Sequence, residues 1–132
     1  MPAAPGIGTM IAVHSGMPSA RVIVGVSGFD YPEWRGVFYP SALPRSEWLQ
    51  YAQARFDTIE LNGTFYSLKT PAAYERWTSA VSADFTFAVK GSGYITHRLR
   101  LKNPERALAN FYASGVLGLG RHTGPFLSLI HI

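Results

Sequence analysis

Four polar residues stand at the ends of three predicted β-strands. Ser27 ends the first apolar run, Glu60 and Asn62 end the second, and Lys90 ends the third. A carboxylate and an ammonium group that share a shielded site can serve as an acid–base couple or as a clamp for an anion. Glu60 and Lys90 are therefore expected to pair. The structural alternative is a salt bridge that only satisfies two buried charges.

His97 follows the third predicted strand, directly after Thr96. An imidazole there is suited to a general base, a phosphate contact or a metal ligand, and the alternative is packing within the loop. His14, His122 and His131 have no comparable setting. Because no HxH, HExxH or DxD spacing occurs, the sequence indicates no metal site and leaves the cofactor open.

Aromatic residues crowd the loops after the first two strands. They form either a stacking wall for sugar rings or bases, or a hydrophobic cover over the strand ends, and we favour the cover. Tyr31 and Tyr66 are the expected exceptions, because each lies beside polar loop residues.

The elements that must position these residues alternate as β-α-β-α-β-α-β. The predicted strands cover 22–27, 58–62 and 85–90, and a fourth opens at Gly124. Ser46 and Asn103 are expected to cap helices, and Pro71 suits a first helical turn. This order implies parallel strands with helical crossovers, in an open doubly wound sheet or a closed barrel. The first strand lacks a GxGxxG loop after it, which weakens the dinucleotide-binding version.

Side-chain alternation divides each strand into two faces. One face is bulky and apolar and should meet the helices. The other is small or polar and should line a barrel, with the strand-end residues at the C-terminal end where barrel enzymes act. The apolar faces comprise Val22, Val24 and Val26, then Ile59 and Leu61, then Phe85, Phe87 and Val89.

Composition narrows the class of protein. Of 132 residues, 47% are hydrophobic and 15% charged, which is typical of a globular domain. The absence of Cys excludes disulfide scaffolds, thiolate zinc sites and Cys nucleophiles, and it fits a cytoplasmic protein. No apolar run approaches the roughly 20 residues that span a bilayer, so no membrane association is expected. The net charge is +4, and the only dense basic cluster is Arg98, Arg100 and Lys102.

Four ordered blocks resemble the DUF72 (YecE-like) family. They are GVSGFDYPEWRGVFYP (25–40), FDTIELNGTFYSL (56–68), FTFAVKGSGYITHRLRL (85–101) and LGLGRHTGPFL (117–127). The resemblance implies an α/β fold, a TIM (β/α)8-barrel of roughly twice this length. The chain would then end after about the first three to four βα units. The resemblance implies no activity. The residues of this chain that stand at the family's motif positions are Ser27, Tyr31, Trp34, Glu60, Asn62, Phe65, Tyr66, Lys90, Thr96 and His97.

The predicted organisation has three parts. Residues 1–20 are either a disordered leader rich in Ala, Gly and Pro or the result of a misassigned start codon. Met10 and Met17 are the alternative starts. Residues 21–127 form the partial barrel domain. Residues 128–132 are predicted to be a non-native tail, because the sequence departs from the family pattern after Pro125. The last six residues, LSLIHI, are also the translation of a sequencing-adapter end.

The sequence leaves open whether the site is catalytic. One interpretation is an enzyme acting on a small polar or anionic substrate, phosphate-like or sugar-like, at the C-terminal barrel mouth. A second is a non-catalytic module that binds nucleic acid or another polyanion through the basic cluster. A third is a fragment with no function of its own. The oligomeric state is not indicated. The enzyme interpretation assigns catalysis to Glu60, Lys90 and His97, and substrate binding to Ser27, Tyr31, Trp34, Asn62, Tyr66 and Thr96.

Overall fold

A sheet of four parallel strands forms the centre of the computed structural model, which describes residues 21–128. The predicted leader, His14, and tail residues 129–132 with His131 lie outside the described residues. The strands are β1 (Gly25–Ser27), β2 (Thr58–Leu61), β3 (Thr86–Lys90) and β4 (Thr123–Leu127). The α-helices are α1 (Trp48–Gln53), α2 (Gly63–Tyr66), α3 (Pro71–Ser79) and α4 (Glu105–Ala113).

The strands lie side by side in chain order, β1-β2-β3-β4, and every pair is parallel. Helices connect each strand to the next. The predicted mixed α/β class with parallel strands is therefore confirmed. A doubly wound sheet reverses its strand order at a switch point, whereas a barrel adds each strand beside the last. The order over these four strands is the one that a barrel has.

The core lies on one face of this sheet. Ile59, Phe87 and Val89 are fully buried, and Leu61 is nearly so. They pack in one apolar cluster with residues from the helical layer, because alternate side chains of β2 and β3 point the same way. The contributors outside the strands include Trp48, Leu49, Ala52, Tyr74, Phe111, Val116 and Leu119.

The first strand is shorter than expected. It begins at Gly25, and Val22 and Val24 are 80% and 60% exposed. The prediction that both join the apolar face is wrong, and only Val26 packs against the core. The reason is the strand register. Gly25 is paired with Thr58, which is the first residue of β2, so the residues before Gly25 have no partner strand to extend along.

Two predicted helix caps are also wrong. A 3-10 turn, Arg45–Glu47, precedes α1, so Ser46 is inside a turn and makes no capping hydrogen bond. Asn103 has a φ of +45°, and Pro104 precedes the first residue of α4. The chain there passes through left-handed conformations, which are incompatible with helix initiation at Asn103.

Loops predicted after β2 and β3 contain helical turns. Helix α2 follows β2 directly, and a π-helical turn spans Tyr94–Arg98. After α4, Gly115 turns the chain with a φ of +110°, and a 3-10 segment, Val116–His122, leads into β4. His122 is buried there, with Nδ1 2.7 Å from the Phe85 carbonyl oxygen, which is a structural role.

The pairing of β4 with β3 contains an irregularity. Phe87 is opposite Thr123, but Val89 is opposite Phe126, so β4 has one extra residue between the two pairs. Pro125 falls in this interval, where its missing N–H costs no ladder hydrogen bond. Gly124 is needed beside it, because a Cβ there would lie 2.7 Å from the Phe87 carbonyl oxygen.

Tyr39 lies at the centre of an aromatic cluster that supports the loop after β1. Its ring stacks on Trp48 with centroids 4.5 Å apart, and its hydroxyl donates to the Phe29 carbonyl oxygen at 2.5 Å. Burial and the nearby Asp30 carboxylate raise the pKa of Tyr39 to about 12, because both disfavour a phenolate.

The substitution Tyr39→Phe is expected to lower the free energy of unfolding by about 1 kcal/mol at pH 7, through loss of this hydrogen bond. The Tyr39 pKa is raised from 10.0 in the unfolded chain to about 12 in the fold. Its contribution is therefore complete below pH 10 and is lost as the pH rises towards 12. Urea unfolding across this pH range should show a shallower decline in Tyr39→Phe than in the unsubstituted protein. Equal slopes would contradict the assignment, and Tyr112→Phe on α4 is the control.

Candidate functional site

The polar strand-end residues meet in pairs that follow the register of the sheet. Ser27 is opposite Glu60, and its Oγ donates to Glu60 Oε1 at 2.6 Å. One step beyond the last pair of β2 and β3, Lys90 Nζ donates to Asn62 Oδ1 at 3.1 Å. The structure thus brings all four residues to the C-terminal ends of the strands.

The predicted ion pair between Glu60 and Lys90 is wrong. Glu60 is opposite Ala88, so Lys90 lies two residues further along its strand. Lys90 Nζ donates to Asn62 Oδ1 and Glu60 Oε1 accepts from Ser27, and the two charged groups form no ion pair with each other. In the part of the chain that the structure describes, the ion pairs are Arg21–Asp57 and Arg45–Asp30. Each of the two charges at the strand ends is instead held by a neutral partner.

Thr64 joins the ends of β2 and β3. Its side chain is buried, and Oγ1 lies 2.6 Å from both the Leu61 and the Lys90 carbonyl oxygens. A hydroxyl has one proton, so it donates to one carbonyl at a time. This contact fixes the backbone of Lys90 to the first turn of α2. The sequence analysis missed Thr64, and its position two residues after Asn62 is the signal that could have identified it.

A line of contacts leads from Lys90 to the turn after β3. Lys90 Nζ lies 5.0 Å from the centroid of the Phe65 ring, a cation–π distance. The Phe65 and His97 rings pack edge to face, with their centroids 5.2 Å apart. The Thr96 hydroxyl lies 2.7 Å from His97 Nδ1, which fixes the imidazole plane whichever atom donates. Thr96 is buried and His97 is exposed, so the ring is anchored from below and open to solvent.

The loop after β1 covers the other side of the strand ends. The Gly28 N–H donates to the Glu60 carbonyl oxygen at 2.8 Å, and the Tyr31 hydroxyl donates to the Ser27 carbonyl oxygen at 2.7 Å. Gly28 has a φ of +79°, and a side chain there would collide with the Tyr31 phenol. Tyr31 therefore lies directly against the Ser27–Glu60 pair.

Trp34 and Tyr66 differ in their surroundings. The Trp34 ring centroid lies 4.9 Å from that of Tyr31 and 5.3 Å from that of Phe38, within the aromatic cluster beneath the loop. The structure does not bring Trp34 to the strand ends. Tyr66 is 75% exposed and packs edge-on against Phe65. With Tyr94, His97 and Arg98, it lines an open cavity of about 650 Å³.

The described residues offer no cluster that would bind a metal. Between residues 21 and 128, no three His, Asp or Glu side chains lie close enough together to share an ion. Over the same range, no helix is sufficiently long and apolar to cross a membrane. The chemical groups that the described residues bring to the strand ends are a carboxylate, an ammonium group, an imidazole and several hydroxyls.

The sequence matches the model of a known protein family. The model of the family described as "Protein of unknown function DUF72" matches residues 23–129. The chain belongs to the DUF72 family. No curated protein matches the sequence.

Solved structures of DUF72 family proteins resemble the chain. One, from Thermotoga maritima, is 32% identical with a TM-score of 0.70, over 83% of this chain and 44% of that one. One from Enterococcus faecalis is 16% identical with a TM-score of 0.62, over 83% of this chain and 39% of that one, and supports the fold alone. The chain thus spans less than half the length of these DUF72 structures.

The substitution Thr64→Val tests how the strand ends are held. It keeps the side-chain shape but removes the single hydroxyl proton that the Leu61 and Lys90 carbonyl oxygens share, so we expect a loss of about 1–2 kcal/mol in unfolding free energy. Thr64→Ser keeps the hydroxyl and should lose less. Chemical denaturation of both variants gives the comparison. A Thr64→Val protein as stable as the unsubstituted chain would show that the hydroxyl does not join β2 to β3.

Proposed function

We propose that the chain forms the first half of a (β/α)8 barrel whose mouth, the C-terminal ends of its strands, binds a small polar or anionic substrate. The parallel strands in chain order support this proposal, as does the greater length of the DUF72 relatives. Barrel enzymes place their catalytic groups at that end of the strands. In this proposal the described residues supply part of one active site, and later strands supply the rest.

The observation that carries the proposal is the separation of Glu60 from Lys90. Each group is oriented by a neutral partner, Ser27 for the carboxylate and Asn62 for the ammonium group. A salt bridge between them would have cancelled both charges. Neutral partners instead leave the carboxylate free to accept a proton and the ammonium group free to meet a negative charge.

The roles follow from the positions of the groups. Glu60 acts as the general base or acid, and Lys90 stabilises negative charge on the substrate or transition state. His97, anchored by Thr96, assists proton transfer at the outer edge of the mouth. Ser27 and Asn62 orient the charged groups and contact the substrate.

The aromatic residues complete the proposed binding surface. Tyr66 is exposed beside His97 and would stack on a ring of the substrate. Tyr31 reaches the site from the loop after β1. Trp34 acts by supporting Tyr31, against which it packs.

Turnover assays test the catalytic role. The proposal assigns the rest of the site to later strands, so the assay uses the complete barrel. With 4-nitrophenyl phosphate and 4-nitrophenyl glycosides as chromogenic substrates, we expect Glu60→Gln to lower kcat by about 10²–10⁴ with little change in KM. Lys90→Met should raise KM for the phosphate ester. Glu75→Gln, on the exposed side of α3, is the control. Turnover that survives Glu60→Gln would remove Glu60 from the mechanism.

A second candidate function is binding of a polyanion without chemistry. Arg98, Arg100 and Lys102 are all exposed, and Arg98 shares its cavity with the exposed rings of Tyr66 and Tyr94. Bases of a single strand stack on such rings while cations meet the phosphates. Oligonucleotide binding that weakens steeply with salt, and is unaffected by Glu60→Gln, would favour this function over the enzyme.

A further inference from the structure

A concave surface lies beside the C-terminal ends of β1 and β2, between α1 and α3. This α1–α3 groove has a volume of about 620 Å³. Leu49 of α1, Asn62 at the end of β2 and Trp77 of α3 are among its walls. The volume is within the range of about 300–1,000 Å³ that is usual for small-molecule sites.

The charges on the groove walls are predominantly positive. Arg45, Lys69 and Arg76 line the groove, together with a single carboxylate, Asp30. Arg45 donates to both oxygens of Asp30, at 2.6 and 2.7 Å, which neutralises that pair. Between residues 21 and 128, no side-chain hydrogen bond or ion pair involves Arg76, and Lys69 Nζ bonds only to Ser67 Oγ, at 2.9 Å.

The Lys69 side chain passes close to Gly63 beside the groove. A Cβ on Gly63 would lie 3.2 Å from Lys69 Cε and 3.4 Å from Nζ, so glycine at this position gives the lysine side chain room to lie across the loop. A single exposed cation is ordinary surface. Two cations without a carboxylate partner on one concave wall concentrate positive potential where a ligand would sit.

The remaining walls of the groove are apolar. Trp77 is half-buried, and its ring is held edge-on against Tyr74 with centroids 5.3 Å apart. Leu49 lies on the α1 side and is 4% exposed. An indole ring fixed in this way offers a surface for a flat group, while the cations select a negative one.

We propose that the α1–α3 groove binds an aromatic phosphate monoester, with the phosphate between Lys69 and Arg76 and the ring against Trp77. The phosphate carries a charge of about −1.5 to −2 at pH 7, which matches the two unpaired cations. Arginine and lysine are the side chains that recognise such oxygens by charge-assisted hydrogen bonds. The groove adjoins the mouth, because Tyr31 and Asn62 line both, whereas Lys69, Arg76 and Trp77 belong to the groove.

Nuclear magnetic resonance titration of the full chain with phenyl phosphate tests this proposal. Saturable shifts are expected at the Trp77 indole N–H and at the backbone of Lys69 and Arg76. Lys69→Gln and Arg76→Gln should each raise Kd about tenfold. Arg121→Gln removes the same charge from an exposed position outside the groove and should change Kd by less than about twofold. Phenyl phosphate should bind more tightly than inorganic phosphate, and phenol should not bind.

Three results would overturn the proposal. The first is an equal loss of affinity in Arg76→Gln and Arg121→Gln, which would show that binding depends on the net charge of the protein and not on the groove. The second is a set of shifts centred on Lys90 and His97, which would move the anion to the mouth. The third is the absence of saturation at concentrations up to about 10 mM. Circular dichroism of each variant separates loss of binding from loss of folding.

Discussion

Side chains in a β-strand must alternate between two faces, and in a parallel sheet every strand obeys this rule in one shared register. In β2 and β3 the rule buries Ile59, Leu61, Phe87 and Val89 against the helices. The positions between them cannot join that core, so Glu60, Asn62 and Lys90 face the other way. A slip of one residue would bury Glu60 and expose Ile59. The packing that stabilises the chain and the polar groups that could perform chemistry are therefore set by the same constraint.

The strand ends are held by neutral groups. Hydroxyls of Ser27, Thr64 and Thr96 and the amide of Asn62 orient the carboxylate, the backbone at Lys90, the imidazole and the ammonium group. Such partners restrict rotamers without cancelling charge, which is how a supporting shell preorganises a site. Glycine has a related role at Gly28, which allows the Tyr31 phenol to approach the backbone closely.

The sequence predicted features that depend on local pattern and failed where pairing geometry decides. Strict alternation in FTFAVK identified β3, and Pro71 marked the first turn of α3, because these signals act within a few residues. The ion pair between Glu60 and Lys90 was wrong because strand register is a property of two strands and is not written in either. The prediction for Val22 failed for a similar reason, because the pairing of β1 with β2 begins at Gly25 and leaves Val22 exposed. The α1–α3 groove was missed because its cations come from separate elements with no common spacing.

The two-residue offset between Glu60 and Lys90 places the two charged groups at different depths along the strand direction. The Ser27–Glu60 pair lies deeper along the sheet, and the Asn62–Lys90 pair lies nearer the rim. A ligand entering from the C-terminal side would thus encounter the cation first and the carboxylate afterwards. An anionic group captured at the rim would direct the rest of the molecule downward, towards the base. Such an arrangement would select molecules by orientation as well as by charge, and it would disfavour those that carry a negative group down to the Glu60 carboxylate.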